Sequence, residues 1–402
     1  MAAADRTHLV ASRAAGLRSS AIRDLLALTA DPSILSLAGG LPASETLPAD
    51  DVAAAVAEVL ATERSALQYG QTEGDAGLRA WIASHELDGV DVGRVLVTHG
   101  SQQALRLLVE ALVEPGDVVV VERPSYLGML QALATSGAEV LDVPCDDDGI
   151  DVDELAALLA AGLRPKLCYL APTFQNPSGS VLPDDRRAVL GELAGRYGFV
   201  VIDDDPYREL GFGPVPSRLR TFVPDDLAVT LGSFSKTLSP GLRVGWVHGQ
   251  AWLTPILTRL KQAADLHTNG LGQRVVATLV EQPGWLDAAI AQRRALYGRR
   301  ADAAVAALAR HLPDLVVPRP RGGMFLWLDL GSDTDVLLGA ALAEGVAFVP
   351  GSAFDHRLRP STHGRLCYAT LDAPELEEAA RRLAAARASI ADRCPDRTPL
   401  PN

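Results

Sequence analysis

Leu231-Gly-Ser-Phe-Ser-Lys236-Thr-Leu-Ser-Pro-Gly-Leu-Arg243-Val-Gly-Trp246 holds one lysine in a segment that is otherwise small, apolar or uncharged up to its arginine. The residues before it, Leu227 to Leu231 (LAVTL), form the short apolar run of a buried strand. Gly232 and the serines break that strand, Pro240 and Gly241 make a turn, and Arg243 to Val247 starts another strand. A lysine at the end of a buried strand, seven residues before an arginine, is poorly placed for solvation. Burial and a nearby cation both disfavour its charged form, so neutral amine becomes available as a nucleophile. That is what a Schiff-base lysine needs. Ser233, Ser235 and Arg243 supply donors for an anion such as phosphate. A bare Ser-Lys pair is more often a surface turn with a solvated lysine, so the weight rests on what surrounds it.

Outward from this stretch the pattern alternates. Strands are predicted at Val95–Thr98, Val118–Glu122, Glu139–Asp142, Lys166–Ala171, Phe199–Asp203, Leu227–Leu231 and Arg243–Val247. Helices are predicted between several of them, at Ser101–Val113, Leu127–Ser136, Asp153–Ala161 and Pro183–Tyr197. This alternation predicts an α/β fold with a mostly parallel, seven-stranded sheet covered on both faces. Ligands in such sheets bind at the carboxyl ends of the strands, where Lys236 falls. After about residue 250 the rhythm changes to helices at Ala251–Ala264, Leu271–Glu281 and Trp285–His311. Strands near Leu315–Val317, Met324–Leu330, Val346–Val349 and Arg365–Ala369 follow, with helices at Asp335–Glu344 and Pro374–Ile390. The expected division is an N-terminal arm (1–48), a large domain (49–288) and a smaller α+β domain (289–402) on which the arm packs. Within the arm, residues 12 to 30 read as an amphipathic helix with Ile22, Leu25, Leu26 and Leu28 on its apolar side. A further helix, Asp50 to Glu63, reads as opening on an aspartate cap.

The chain has 402 residues, 48% hydrophobic and 22% charged, which suffices for two domains and a large core. A net charge of -13 argues against nucleic-acid or anionic-membrane partners. The four cysteines (Cys145, Cys168, Cys367 and Cys394) have no metal-type spacing, and Cys168 and Cys367 sit in apolar runs as reduced core residues. The start, MAAADRTHLV, has no apolar signal region and no stretch is long enough to span a bilayer, so a cytoplasmic protein is the simplest expectation.

Further motifs gather at the same strand ends. Gly39-Gly40 lets a backbone approach a ligand closely. Gly100-Ser101-Gln102 joins a strand to a helix, whose N-terminus suits a phosphate. Tyr126, after Glu122-Arg-Pro-Ser, is placed to stack on a planar ring. Asn176-Pro177-Ser-Gly179 follows the strand KLCYLA as a turn. Asp203-Asp204-Asp205-Pro-Tyr207 ends a buried strand with three acids, which repel one another unless cations or hydrogen bonds intervene. The spacing is not that of a calcium loop, and a protonated ring nitrogen is a better partner than a metal. Arg365 is suited to clamp a carboxylate through two parallel hydrogen bonds.

Taken together, S-x-S-K-x-x-x-P-G-x-R-x-G around Lys236, SLAGGLP, Tyr69-Gly70, G-S-Q, N-P-S-G, D-x-x-Y and Gly322-Gly-Met-Phe325 resemble the fold type I pyridoxal-phosphate-dependent aminotransferases. The likeness is to the aminoadipate/kynurenine and aromatic group and runs from about residue 12 to 390. The resemblance implies pyridoxal 5'-phosphate as cofactor, carried on Lys236. It implies Gly100, Ser101, Gln102, Ser233, Ser235 and Arg243 at the phosphate, Tyr126 over the ring and Asp204 at the ring nitrogen. Tyr207 and Asn176 would meet the ring hydroxyl, and Arg365, Asn176 and Gly40 the substrate. It also implies a homodimer in which Tyr69 reaches the neighbour's cofactor phosphate and substrate. Gln71 stands where the family often has proline, a mild departure. Arg23 matches a position that meets the substrate side chain in aminoadipate-type relatives, so acidic or polar substrates are expected. A ping-pong transfer to a 2-oxo acid such as 2-oxoglutarate or pyruvate follows. β-Elimination, decarboxylation and oxidative deamination stay open, because the same lysine, aspartate and arginine serve them all. The effector-sensing domains of related transcription regulators are disfavoured by the acidic charge and the short N-terminal arm.

Overall fold

A computed structural model describes residues 6–15 and 31–393 of the chain. Among the described residues the large sheet has eight strands: β2 (Val95–Thr98), β3 (Val118–Arg123), β4 (Glu139–Asp146), β5 (Gly149–Ile150), β6 (Leu167–Leu170), β7 (Val200–Asp204), β8 (Ala228–Ser233) and β9 (Gly245–His248), in the order β2-β9-β8-β7-β6-β3-β4-β5. The expected seven strands are all present, and the eighth is the two-residue β5, which returns antiparallel to β4. The β4-β3-β6-β7-β8 block is parallel, while β9 runs antiparallel between β8 and β2.

Strand periodicity explains how both faces are covered. Val119 and Val121, Leu167 and Tyr169, and Val200 and Ile202 fall in one apolar cluster with Leu105, Leu108 and Leu112 of the helix Ser101–Leu112. Their neighbours Val120, Cys168, Leu170 and Val201 fall in another, with the helices Val152–Ala160 and Asp184–Tyr197. Successive side chains of a strand point to opposite faces, and each fully buried leucine or valine contributes roughly 1.5–3 kcal/mol. By the same period Asp204 points to one side of β7 and Asp203 and Asp205 to the other.

A second, antiparallel sheet has three strands, β10 (Phe325–Asp329), β12 (Val349–Pro350) and β13 (His363–Cys367), in the order β10-β13-β12. Its core includes the helices Trp285–His311 and Ala373–Arg393. Beside it, β1 (Leu35–Ser36) pairs in parallel with β11 (Val346–Ala347), and Leu37 N–H donates to Ala347 O at 2.8 Å.

Several expectations are corrected. Leu315–Val317 is not a strand: Val316 is 89% exposed, with no partner strand among the described residues. Val346–Val349 divides into β11 and β12, which pair with different strands. Arg243 precedes rather than starts β9, in a left-handed turn at φ 54°. The helix predicted from Asp50 starts at Ala49 without a side-chain cap, and its aspartates lie in the first turn. Of the helix predicted over 12 to 30, Ser12–Ala15 is helical, and the rest, with Arg23, lies outside the described residues, as does Cys394. Cys168 and Cys367 are buried and free. No helix of the described residues is long and apolar enough to cross a membrane.

Candidate active site

The carboxyl ends of β7 and β8, the β2 end and β13 enclose a cavity of about 240 Å³. Gly40, Gly100, Ser101, Gln102, Tyr126, Asn176, Asp204, Tyr207, Ser233, Ser235, Lys236, Arg243 and Arg365 line it, together with Leu41, Tyr169, Ala171, Pro206 and Pro240. Residues separated by up to 325 positions therefore meet at one place, as the strand-end rule requires.

Lys236 stands three residues beyond β8, and its Nζ donates to Gly40 O at 2.8 Å. Burial lowers the amine to about 8; the Arg365 and Arg243 guanidiniums act in the same direction and the Cys367 thiol against them. Asp204 ends β7 with its side chain in the cavity, 3% exposed. Oδ2 accepts from Tyr169 OH at 2.9 Å, and Oδ1 has no partner among the described residues. Burial pushes this carboxyl up to about 6, with Tyr169 opposing and Asp205 reinforcing the rise. A buried carboxylate oxygen facing a cavity without a donor suits a cationic N–H there.

Arg365 lies in the middle of β13 and is fully buried. Nη1 donates to Asn176 Oδ1 at 2.8 Å and Nη2 to Ala38 O at 2.6 Å, while Nε has no partner among the described residues. Phe325 and Phe354 hold the guanidinium with centroids at 4.3 and 5.2 Å. Asn176 Nδ2 donates in turn to Tyr207 OH at 3.4 Å. Burial raises the Tyr207 hydroxyl and brings Tyr126 up to about 12, so both remain protonated donors.

The other end of the cavity is a cup of donors. Gly100, at φ 72°, caps the helix Ser101–Leu112, so Ser101 is the first helical residue and not the cap. A Cβ on Gly100 would lie 2.7 Å from Arg243 Nη2, and one on Gly245 would lie 2.8 Å from the Gly100 backbone. Both positions need glycine for β9 and the helix start to approach this closely. Ser233 Oγ donates to Ser235 Oγ at 2.9 Å. Gln102 Nε2 is occupied by Gly128 O at 2.8 Å, beneath Tyr126.

Asp203 and Asp205 are buried, not solvated. They lie on the far side of β7 near Arg187, Arg208 and Arg218, and Asp205 Oδ2 accepts from Arg208 at 3.5 Å. Tyr69 does not line the cavity: it is 79% exposed, edge-on to the His267 ring at 5.9 Å. Sequence reasoning missed Tyr169 and the role of Glu122. Tyr169 shares the face of Asp204 on the neighbouring strand, a signal available once β6 and β7 are set in register. Glu122 accepts from Ala171 N–H at 2.9 Å, and burial drives its carboxyl up to about 8.

Known proteins share this chain's sequence pattern and fold. Residues 33–383 match the family model "Aminotransferase class I and II". The chain is 43% identical to the 2-aminoadipate transaminase of Thermus thermophilus over 375 residues, covering 91% of this chain and 93% of the relative. It is 38% identical to aromatic-amino-acid aminotransferase 1 of Thermococcus litoralis over 393 residues, 94% of each. The crystal structure of the Thermus thermophilus α-aminoadipate aminotransferase, complexed with N-(5'-phosphopyridoxyl)-L-leucine, superposes with a TM-score of 0.90 at 39% identity, covering 97% of this chain and 100% of that one. The chain therefore belongs to the class I and II aminotransferase family. It is a fold type I, pyridoxal-phosphate-dependent aminotransferase.

Proposed function

We propose that the protein moves an amino group from an L-amino acid to a 2-oxo acid in two half-reactions, with Lys236, Asp204 and Arg365 as the principal groups. The observation that carries this reading is one cavity holding an amine near its pKa, a buried carboxylate with a free oxygen and a buried guanidinium with a free N–H. Those groups fit pyridoxal phosphate. Ser101, Ser233, Ser235, Arg243 and the N–H groups at the helix start would hold its phosphate, Asp204 its ring nitrogen, and Tyr207 and Asn176 its ring hydroxyl. Bound there, the cofactor supplies an electron sink for charge developing at the substrate α-carbon.

This chain's residues do the rest. Arg365 and Asn176 would receive and orient the α-carboxylate. Lys236 Nζ, neutral above about pH 8, takes the proton from the α-carbon and holds it for return. Asp204 would hold the ring nitrogen's proton. Tyr126 would cover the ring and help exclude water. Tyr69, exposed on its own chain, completes the cavity of a second copy in a homodimer. The relatives' names point to 2-aminoadipate and aromatic amino acids as donors. The acceptor is a 2-oxo acid such as 2-oxoglutarate or pyruvate. Arg23 would favour the acidic donor.

The test is a cofactor absorbance spectrum of purified protein, before and after a panel of amino acids without any oxo acid. A cofactor band that Lys236→Ala cannot form, converted by a donor with stoichiometric release of its 2-oxo acid, is the expected result. Catalytic release of ammonia, carbon dioxide or peroxide would move the protein to an elimination, decarboxylation or oxidase reaction. A protein that binds no pyridoxal phosphate would end the reading.

A further inference from the structure

His99, between β2 and the helix start, lines no part of the cavity, yet it is held at every polar atom. Its backbone N–H donates to Gln103 Oε1 at 2.9 Å, and its carbonyl accepts from Arg243 Nη2 at 3.3 Å. Its ring Nδ1 lies 2.7 Å from Asp265 Oδ2, and its Nε2 accepts from the Asn269 N–H at 3.3 Å. The Asn269 contact fixes the tautomer: Nε2 is the acceptor, so Nδ1 carries the hydrogen and donates to Asp265. Asp265 is the hub of this cluster. It also accepts from Gln103 Nε2 at 2.6 Å and, through both oxygens, from Lys261 Nζ at 2.9 Å. Burial alone would raise its carboxyl, but Gln103, Lys261 and His99 together hold it below its ordinary value. Lys261 is fully buried and donates to Gln103 Oε1 as well, at 2.9 Å. The Lys261–Asp265 pair, with Lys261 buried and Asp265 partly exposed, is thus a charge-balanced post on which His99 and Gln103 are mounted.

The post stands behind the phosphate cup. The His99 carbonyl is one of two backbone acceptors that orient Arg243, the other being Pro240 O at 3.3 Å. The next peptide leads into Gly100 and the free N–H groups of the helix. Both donor sets of the cup therefore depend on the orientation of residue 99. We propose that Asp265 is a positioning residue for the phosphate end of the cavity, acting through the His99 ring on the His99–Gly100 peptide and Arg243. It touches neither cofactor nor substrate. The proposal rests on the phosphate-cup reading above and adds the device that holds the cup in shape.

Asp265→Asn would strand the buried Lys261 ammonium and endanger folding, so the informative variants are at His99. An asparagine amide nitrogen stands near the place of a histidine Nδ1, so His99→Asn keeps the donor to Asp265 and His99→Ala removes it. Full-length apoproteins are titrated with pyridoxal 5'-phosphate and, separately, with pyridoxal, which lacks the phosphate. The wild-type titration tests the cofactor reading itself: uptake of neither aldehyde there counts against that reading, not against the role of Asp265. With wild-type uptake established, His99→Ala is expected to lose about tenfold in affinity for the phosphorylated ligand, the effect of one charge-assisted hydrogen bond, and nothing for pyridoxal. His99→Asn is expected to restore most of that loss. An equal loss for both ligands, no loss for either, or a His99→Asn variant as weak as His99→Ala would overturn the proposal.

Discussion

On the large-sheet side of the cavity Lys236 rests on a backbone carbonyl, Gly40 O at 2.8 Å, beside protonated tyrosines and a carboxyl shifted to about 6. On the small-sheet side Arg365 sits between two phenylalanines with an amide and a carbonyl as acceptors. Both cations are desolvated, and neither is paired with a carboxylate among the described residues. The outcomes differ because the side chains differ. A lysine responds to desolvation by giving up its proton, whereas a guanidinium stays charged and waits for an anion. One wall is therefore built to titrate and the other to hold a fixed charge. A reaction that moves a proton at a carbon next to a carboxylate needs one of each.

The comparison breaks most visibly at the fixed wall. Arg365→Lys keeps a cation but loses the planar fork and the stacking between Phe325 and Phe354. Two charge-assisted hydrogen bonds at about 1.5–3 kcal/mol each set the expected loss in kcat/KM for amino acids at on the order of 1000-fold, carried mainly by KM. An amine donor without a carboxylate should lose little. Equal losses for the two donors would mean that Arg365 is structural. The titrating wall is tested in the apoprotein. Only neutral amine attacks the cofactor aldehyde, and the Lys236 amine is lowered to about 8. The rate of cofactor uptake should rise about tenfold per pH unit below that value and level above it. An ordinary lysine would keep rising to about pH 10.4. A stopped-flow profile still climbing at pH 9.5 would contradict the account.

Most of both walls was legible in the sequence, since apolar runs fix strands and strand ends collect chemistry. The misses share a cause. Tyr169 reads as one more aromatic of KLCYLA until β6 and β7 are registered, when its period-two face proves to be that of Asp204. Asp203 and Asp205 read only as acids in need of cations, because which arginines supply them depends on the face of β7 on which Arg187, Arg208 and Arg218 gather. Val346–Val349 reads as one strand because nothing local reveals that its two ends pair with β1 and β13. Arg243 reads as a strand residue because a left-handed turn at a non-glycine position has no local signature. In each case the deciding feature is the folded geometry and not the residue type.

Tyr169 also allows the finest adjustment of the contrast. Its hydroxyl donates to Asp204 Oδ2 at 2.9 Å and holds that carboxyl down against burial. Tyr169→Phe removes the donor while keeping the ring that packs among Val121, Leu167 and Ile202. With the donor gone, the Asp204 pKa rises further above about 6. A carboxylate that must be ionised to face a cationic ring nitrogen is then lost at higher pH, so the acid limb of cofactor affinity moves upward. The expected cost is about threefold to tenfold at pH 6, one hydrogen bond's worth, shrinking toward nothing by pH 8.5, where Asp204 is ionised in both proteins. A uniform loss across that range would assign Tyr169 to packing alone, and a loss that grows with pH would reverse the sign of the argument. The titrating wall is thus adjustable by a single hydroxyl, whereas Arg365 offers no such adjustment.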